Sequence, residues 1–305
     1  MASSPVSPSP VATAAALELF EEAAFRRLLK ARHHDLNKME IRTKVLFATL
    51  YSEAMRFTVY KFKIRSKARP TAPGSEWTIA KRYSEFFLFR QQMLKRIEAW
   101  EATLDSDKKL QSKEFALIAN SLRGPLATRD FPRKHMRCDT DQIIDERRTK
   151  LQEFVCSMLD AYADLSVLMA KRPSKSDDTI ATAVRDMFVH LEEFLDIPKS
   201  QKEIDRRQTA AVLALEDVEF TPTHKHSVKE RTCCICLDDI DEEGDDSETV
   251  SSACSENTKL VKLPCQHQFH EDCVIDWFNT STTCPLCRQA PFTEDALSFD
   301  VSVNM

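Results

Sequence analysis

Cys233-Cys234-Ile235-Cys236, Cys265-Gln266-His267-Gln268-Phe269-His270-Glu271-Asp272-Cys273 and Cys284-Pro285-Leu286-Cys287 are the three stretches that decide how this chain is read, with ten residues between the second and the third. They hold eight metal-ligating side chains: Cys233, Cys236, Cys265, His267, His270, Cys273, Cys284 and Cys287. Eight ligands fill two four-coordinate sites, and a mixture of thiolate and imidazole is the donor set that zinc prefers. Pairs two residues apart can grip one ion from a tight turn. With all eight used, no coordination position stays open for the water that metal-assisted hydrolysis requires. Cys234 is not counted, because only Cys233 keeps two residues before Cys236. Spacing alone does not say which pairs share an ion.

The order of ligands resembles the RING finger, in its variant with histidine at the fourth and fifth positions. That resemblance implies a small cross-braced module holding two Zn2+, one by Cys233, Cys236, His270 and Cys273, the other by Cys265, His267, Cys284 and Cys287. It extends past the ligands. Ile235, Trp277 and Pro285 stand where RING ubiquitin ligases form the shallow apolar groove for a ubiquitin-conjugating enzyme. Arg288 stands at the linchpin position, where an arginine bonds both that enzyme and its ubiquitin; a planar fork of donors suits the bridge better than lysine would. The resemblance thus implies a ubiquitin transferase that forms no covalent intermediate of its own. Two other readings compete. A non-enzymatic trafficking adaptor would use the zinc module for scaffolding or as a homodimer contact, and would have no need of a groove built from Trp277 and Pro285. Nucleic-acid binding would require a basic face around the ligands, and the insertion at 238–248 is acidic instead.

The rest of the 305 residues bounds the setting. At about 150 residues per domain the length predicts two domains, one with a sizeable core. A net charge of −5 implies no bulk affinity for polyanions, so any membrane contact must be a local patch. Six of the ten cysteines belong to the zinc pattern, and Cys138, Cys156, Cys234 and Cys254 form no disulfide framework, which predicts a reducing, cytoplasmic compartment. There is no signal-peptide pattern near the first residue and no run of 18 apolar residues.

Along the chain, residues 1–16 read as a disordered tail of Ser, Pro and Ala. Residues 17–41 carry Leu17, Phe20, Ala24, Phe25, Leu28 and Leu29 at helical spacing, an amphipathic helix expected to pack on the neighbouring domain. Tyr60, Phe62 and Ile64 alternate with cations as a half-buried strand, and Trp77 and Ile79 repeat the alternation. Ser84 is the expected cap of a helix with Phe86, Phe89, Met93, Leu94 and Ile97. Two more helices follow, one from Ile144 through Leu151, Phe154, Val155, Met158, Leu159 and Tyr162, the other from Ile180 through Val184, Met187, Phe188, Leu191 and Leu195. This is an α+β domain over 42–196, a small antiparallel sheet with a helical subdomain. Residues 197–230 read as a linker with a short helix near 210–215, residues 231–290 as the zinc module, and 291–305 as a second tail. His224 and His226 fall outside the ligand spacing, and 238–248 reads as a mobile acidic loop.

Within 42–196, Lys81-Arg82-Tyr83-Ser84-Glu85-Phe86, then Phe131-Pro132-Arg133-Lys134, and Arg147 four residues before Leu151 resemble the PX domain. The stretch from Trp100 to Phe131 is longer than that family's pattern and nearly lacks its proline-rich loop. The resemblance implies binding of phosphatidylinositol 3-phosphate: Arg82 on the 3-phosphate, Tyr83 stacked on the inositol ring, Lys134 on the 1-phosphate and Arg147 on the ring hydroxyls. Together the two resemblances imply a ubiquitin ligase peripheral on endosomal membranes.

Overall fold

The computed structural model describes residues 4–5, 23–50, 55–69, 75–105, 113–135, 139–171, 179–218, 233–237 and 259–293. Leu17, Phe20, residues 70–74, Cys138, His224, His226, the 238–248 insertion and Cys254 lie outside them. The chain divides into two compact units, Met1–Glu203 and Ile204–Met305.

The first unit is built on an antiparallel sheet in the order β1 (Ser4–Pro5), β2 (Met39–Leu50), β3 (Met55–Ser66) and β4 (Glu76–Arg82). Period-two alternation makes it two-faced. Tyr60, Phe62, Ile64 and Ile79 are fully buried, while Lys63 and Arg65 between them are exposed. The register places Ile41 opposite Ile64 and Phe62 opposite Ile79, so one face is continuously apolar. Ser4 and Pro5, expected in the tail, pair with Ile41 and Glu40 of β2.

Helix α1 (Ala23–Asn37) precedes β2, so helices are not confined to the region after the strands. Its Leu28, Leu29 and Ala31 are buried, and Arg69 clasps Asp35 near its end with two 3.0 Å hydrogen bonds to the carboxylate. Helix α2 (Tyr83–Ala102) starts one residue before the expected cap. Arg82 holds the cap position, and its backbone N–H donates to the Glu85 carboxylate at 2.7 Å. A first-turn carboxylate answers both an orphan N–H and the positive end of the helix, so the Ser84 hydroxyl is not needed.

The buried face of α2 meets α5 (Asp141–Lys171) and α6 (Thr179–Phe194) through aromatic rings. Phe89 stacks on Phe194 at 3.7 Å, and Phe86 meets Phe62 and Phe194 edge to face at 5.7 and 5.3 Å. Each phenylalanine removed from water in this way contributes roughly 1.5–3 kcal/mol of transfer free energy. Phe131 packs edge to face on Phe154 at 5.2 Å and so fixes the segment that leads to Lys134.

The long stretch before Phe131 is ordered where described. It forms α3 (Lys113–Leu117), a π-helical turn (Ile118–Arg123) and α4 (Gly124–Ala127). Leu117, Ile118, Leu122 and Leu126 are fully buried. Arg90 donates to the Leu126 and Thr128 carbonyls, closing the end of α4, and lies 4.8 Å from the Phe131 ring. Beneath this stretch a polar network is sealed in the core. Asp164, fully buried on α5, accepts from Ser121 and pairs with His33 Nε2 of α1 at 2.7 Å. The carboxylate sits between hydroxyl and imidazole, so this is a structural clasp and not a nucleophilic triad, in which the hydroxyl must face the imidazole.

In the second unit, β6 (Leu260–Lys262) and β7 (Gln268–His270) form a hairpin, and β5 (Glu216–Asp217) adds to β6 as a third strand. Helix α8 (Glu271–Phe278) follows, with Glu271 and Asp272 in its first turn, where acids suit the helix dipole. Val274, Ile275 and Phe278 pack inward with Val261, Leu263 and Phe269 also buried. The stretch read as a linker holds α7 (Lys199–Leu213), whose residues from Ile204 belong to this unit. Its Gln208, Ala211 and Val212 are buried.

Candidate metal centre and basic pocket

The second unit gathers the eight predicted ligands into two groups. Cys233, Cys236, His270 and Cys273 form one, and Cys265, His267, Cys284 and Cys287 the other, with ligand atoms in each group within 4.8 Å of one another. Three short turns and the start of α8 do this. Leu237 N–H donates to the Cys233 carbonyl at 2.7 Å, and Arg288 N–H to the Cys284 carbonyl at 2.9 Å, so both Cys-x-x-Cys pairs adopt the same knuckle. Leu237 and Arg288 close these knuckles in left-handed backbone, at φ 67° and 59°. His270 occupies the cap position of α8 and Cys273 its first turn, while Cys265 and His267 sit on the β6–β7 turn.

The geometry suits zinc. With Zn–S near 2.3 Å and Zn–N near 2.05 Å, a tetrahedral ion holds sulfur and nitrogen about 3.6 Å apart. Cys236 Sγ and Cys273 Sγ lie 3.3 and 4.0 Å from His270 Nδ1. Cys265 Sγ and Cys284 Sγ lie 3.3 and 3.5 Å from His267 Nδ1. Burial pushes the Cys284 thiol up to about 11, while a hydrogen bond from the Gln289 backbone holds that of Cys287 down; a bound dication keeps coordinating thiols ionised whatever their free tendency. Both donor sets are closed and fit two Zn2+.

Around the ligands, Ile235, Trp277 and Pro285 are half-buried. Trp277 Nε1 donates to the Thr283 carbonyl at 2.8 Å, tying the indole to the segment that leads into Cys284 and Pro285. Arg288 is exposed. Two exposed apolar side chains escaped sequence reasoning, Leu237 at 74% and Leu286 at 53%. The signal was present in the knuckle itself, because the residue after the second cysteine and the one inside the last pair project from its surface. Of the described cysteines outside the two groups, Cys156 is half-buried and Cys234 is exposed, and burial pushes the Cys156 thiol up to about 12.

In the first unit, Tyr83 and Arg147 meet, with the guanidinium carbon 3.9 Å from the ring centroid. Tyr83 is held by Phe131 at 6.1 Å and donates its hydroxyl to the Pro132 carbonyl at 2.8 Å, two residues before Lys134. Lys134 is exposed and lies 5.8 Å from the Phe87 ring. Arg82 is exposed and turns to Phe57, 3.5 Å from its centroid, and not toward Tyr83. Arg147 is only 4% exposed, and Asp139 accepts from its Nη1 at 2.6 Å. Arg147 Nε is buried without a hydrogen-bond partner among the described residues, and the Tyr60 hydroxyl is buried beside the same guanidinium. Burial raises the Tyr60 phenol, and the Arg147 charge partly offsets this. Of the four residues expected to share a site, the structure thus brings Arg147 onto the Tyr83 ring, while Arg82 lies on Phe57 and Lys134 beside Phe87. Among the described residues no helix is long and apolar enough to cross a membrane.

Comparison with known proteins assigns both regions. The Ring finger domain matches residues 231–288, and the PX domain residues 69–166. The chain is 29% identical over 123 residues to the E3 ubiquitin-protein ligase SGR9, amyloplastic, of Arabidopsis thaliana, an alignment covering 37% of this chain and 38% of that protein. It is 23% identical over 154 residues to the E3 ubiquitin-protein ligase RING1 of Gossypium hirsutum, covering 48% and 41%. With the E3 ubiquitin-protein ligase Praja-1 of Mus musculus it shares 31% identity over 121 residues, covering 37% and 17%. The chain thus spans less than half the length of each of these relatives. No solved structure matches it. What the comparisons and the geometry give together is a chain with a PX domain followed by a RING finger domain.

Proposed function

We propose that this chain is a RING-type E3 ubiquitin transferase recruited by its PX domain to membranes bearing phosphatidylinositol 3-phosphate, those of endosomes. The observation that carries the reading is the pair of closed Cys/His groups framed by Ile235, Trp277 and Pro285, on a module whose relatives are named E3 ubiquitin-protein ligases. When bound, zinc supplies folding energy and fixed geometry, not an open Lewis-acid position. Ile235, Trp277 and Pro285 seat the conjugating enzyme, and Arg288 clamps its ubiquitin in a pose open to attack on the thioester. The substrate lysine displaces the conjugating enzyme's cysteine directly, and the module's part is orientation. In the first unit Tyr83 stacks on the inositol ring, Arg82 and Lys134 take phosphates, and Arg147 grips ring hydroxyls.

Autoubiquitination of the full chain with a panel of conjugating enzymes, with and without a zinc chelator, tests the reading. Chains that form with at least one enzyme and vanish with chelator are expected. Protein holding two zincs that yields no chains with any enzyme would point to a scaffold.

A further inference from the structure

The Ring finger match begins at residue 231, yet the second unit has buried structure well before it. On α7, Gln208 is 1% exposed and donates from Nε2 to Asn279 Oδ1 at 2.8 Å. Asn279 is fully buried and is the residue that ends α8, its N–H bonded to the Asp276 and Trp277 carbonyls. A buried amide left unpaired costs more than a formed pair contributes, so this contact constrains both partners. A few residues on, β5 pairs with β6, Glu216 opposite Lys262 and Asp217 opposite Val261, and Val218 N–H adds a bond to the Leu260 carbonyl at 3.2 Å. Among the described residues the chain before the match therefore grips the module at its hairpin and at the end of its helix.

The grip on the helix falls at a consequential place. Asn279 is two residues after Trp277 and four before Thr283, whose carbonyl accepts from the Trp277 indole. The Trp277 carbonyl in turn accepts from the N–H groups of Thr280 and Ser281 and from the Thr280 hydroxyl. Residues 277–283 are thus one hydrogen-bonded turn that sets both the indole and the entry to Pro285, and Asn279 is the point where that turn is tied to another element.

We propose that residues 204–218 are a working part of the zinc module, a brace, and that Gln208 is a positioning residue for the conjugating-enzyme groove, acting through Asn279 on the turn that carries Trp277. This rests on the ligase reading for its kinetic consequence. The structural half stands apart from it.

The test uses the full chain and Gln208→Ala, with three measurements on each: zinc content, amide exchange over residues 277–283, and ubiquitin discharge at varied conjugating-enzyme concentration. Expected are two zincs per chain, faster exchange in the turn, and a roughly fivefold rise in the KM for the conjugating enzyme with kcat little changed. Asn279→Ala should do the same, and the double variant should be no worse than either alone. Unchanged exchange and unchanged KM would overturn the proposal, as would a fall in kcat with KM intact. If Gln208→Ala sheds zinc, Gln208→Leu, which keeps the volume and removes the bond, decides in its place. Should wild type discharge no conjugating enzyme at all, the ligase reading fails, while the exchange measurement still decides the brace.

Discussion

Two arginines carry opposite burdens. Arg147 is buried, and a buried guanidinium is tolerable only when paired; Asp139 and the Tyr83 ring face provide that, with Nε left over. Arg288 is exposed but holds left-handed backbone, a conformation that costs a side-chain-bearing residue about 1–2 kcal/mol. Glycine would fit that turn with less strain and would lack the guanidinium that the proposed clamp needs. Replacing Arg288 with alanine should therefore keep fold and zinc content while slowing ubiquitin discharge roughly ten- to hundredfold, the worth of a charged hydrogen bond. Single-turnover discharge from a loaded conjugating enzyme measures it, and equal rates would remove the clamp from the mechanism. At this scale the sequence was most informative. Ligand spacing is a local property, so all eight metal ligands could be named from it, though not their grouping. The burial of Arg147 was hidden, because nothing in sequence distinguishes a helix-surface arginine from one that slides beneath a tyrosine.

Among the elements, α1 shows how far a local reading reaches. Its apolar period announced a helix that packs, and Leu28 and Leu29 do so. The polar clasp beneath it joins residues 131 and 43 positions apart, which no periodicity reports. That clasp should make α1 sensitive to pH. Burial pushes the His33 imidazole down, but the bond and charge of Asp164 more than reverse this, leaving its pKa above the ordinary 6.5. A raised pKa stabilises the fold in full below 6.5, and the contribution fades as pH rises through the folded value. Asp160, pushed up to about 6 chiefly by burial, works in the same direction, but its contribution is lost as pH rises from its ordinary 3.8 to about 6 and is largely gone above that. Amide protection of residues 23–37, corrected for intrinsic rates, should fall between pH 6 and pH 8. His33→Gln, able to donate to Asp164 but not to titrate, should flatten most of that slope; an unchanged slope would place its origin elsewhere. Element α7 was the harder case. Its mostly charged surface reads as linker, and its buried side is short and includes Gln208, a residue that hydrophobic patterning overlooks.

At the scale of the whole molecule, a net charge of −5 gives no general attraction to anionic membrane, so the proposed recruitment must rest on the residues around Tyr83 and Arg147. Tethering to a surface raises the effective concentration of ligase near membrane-bound substrates without any new contact. Wild type should accordingly modify a vesicle-tethered substrate faster when the vesicles contain phosphatidylinositol 3-phosphate. Arg82→Ala should bind those vesicles roughly tenfold more weakly or worse and lose the gain; wild type that ignores the lipid would refute the membrane half of the proposal. The order of sheet and helices was legible because alternation and helical period differ. The packing of 113–127 was not, since short turns carry too few residues to show a period. The sheet also governs where the chain can be divided. The PX match starts at residue 69, after β2 and β3 have ended, so a piece cut there would keep β4 without its hydrogen-bonded neighbour and strip Ile64 and Phe62 from beside Trp77 and Ile79. An open edge of that kind is a template for self-association. Precipitation of such a fragment would report where the scissors fell, and would say nothing about the lipid.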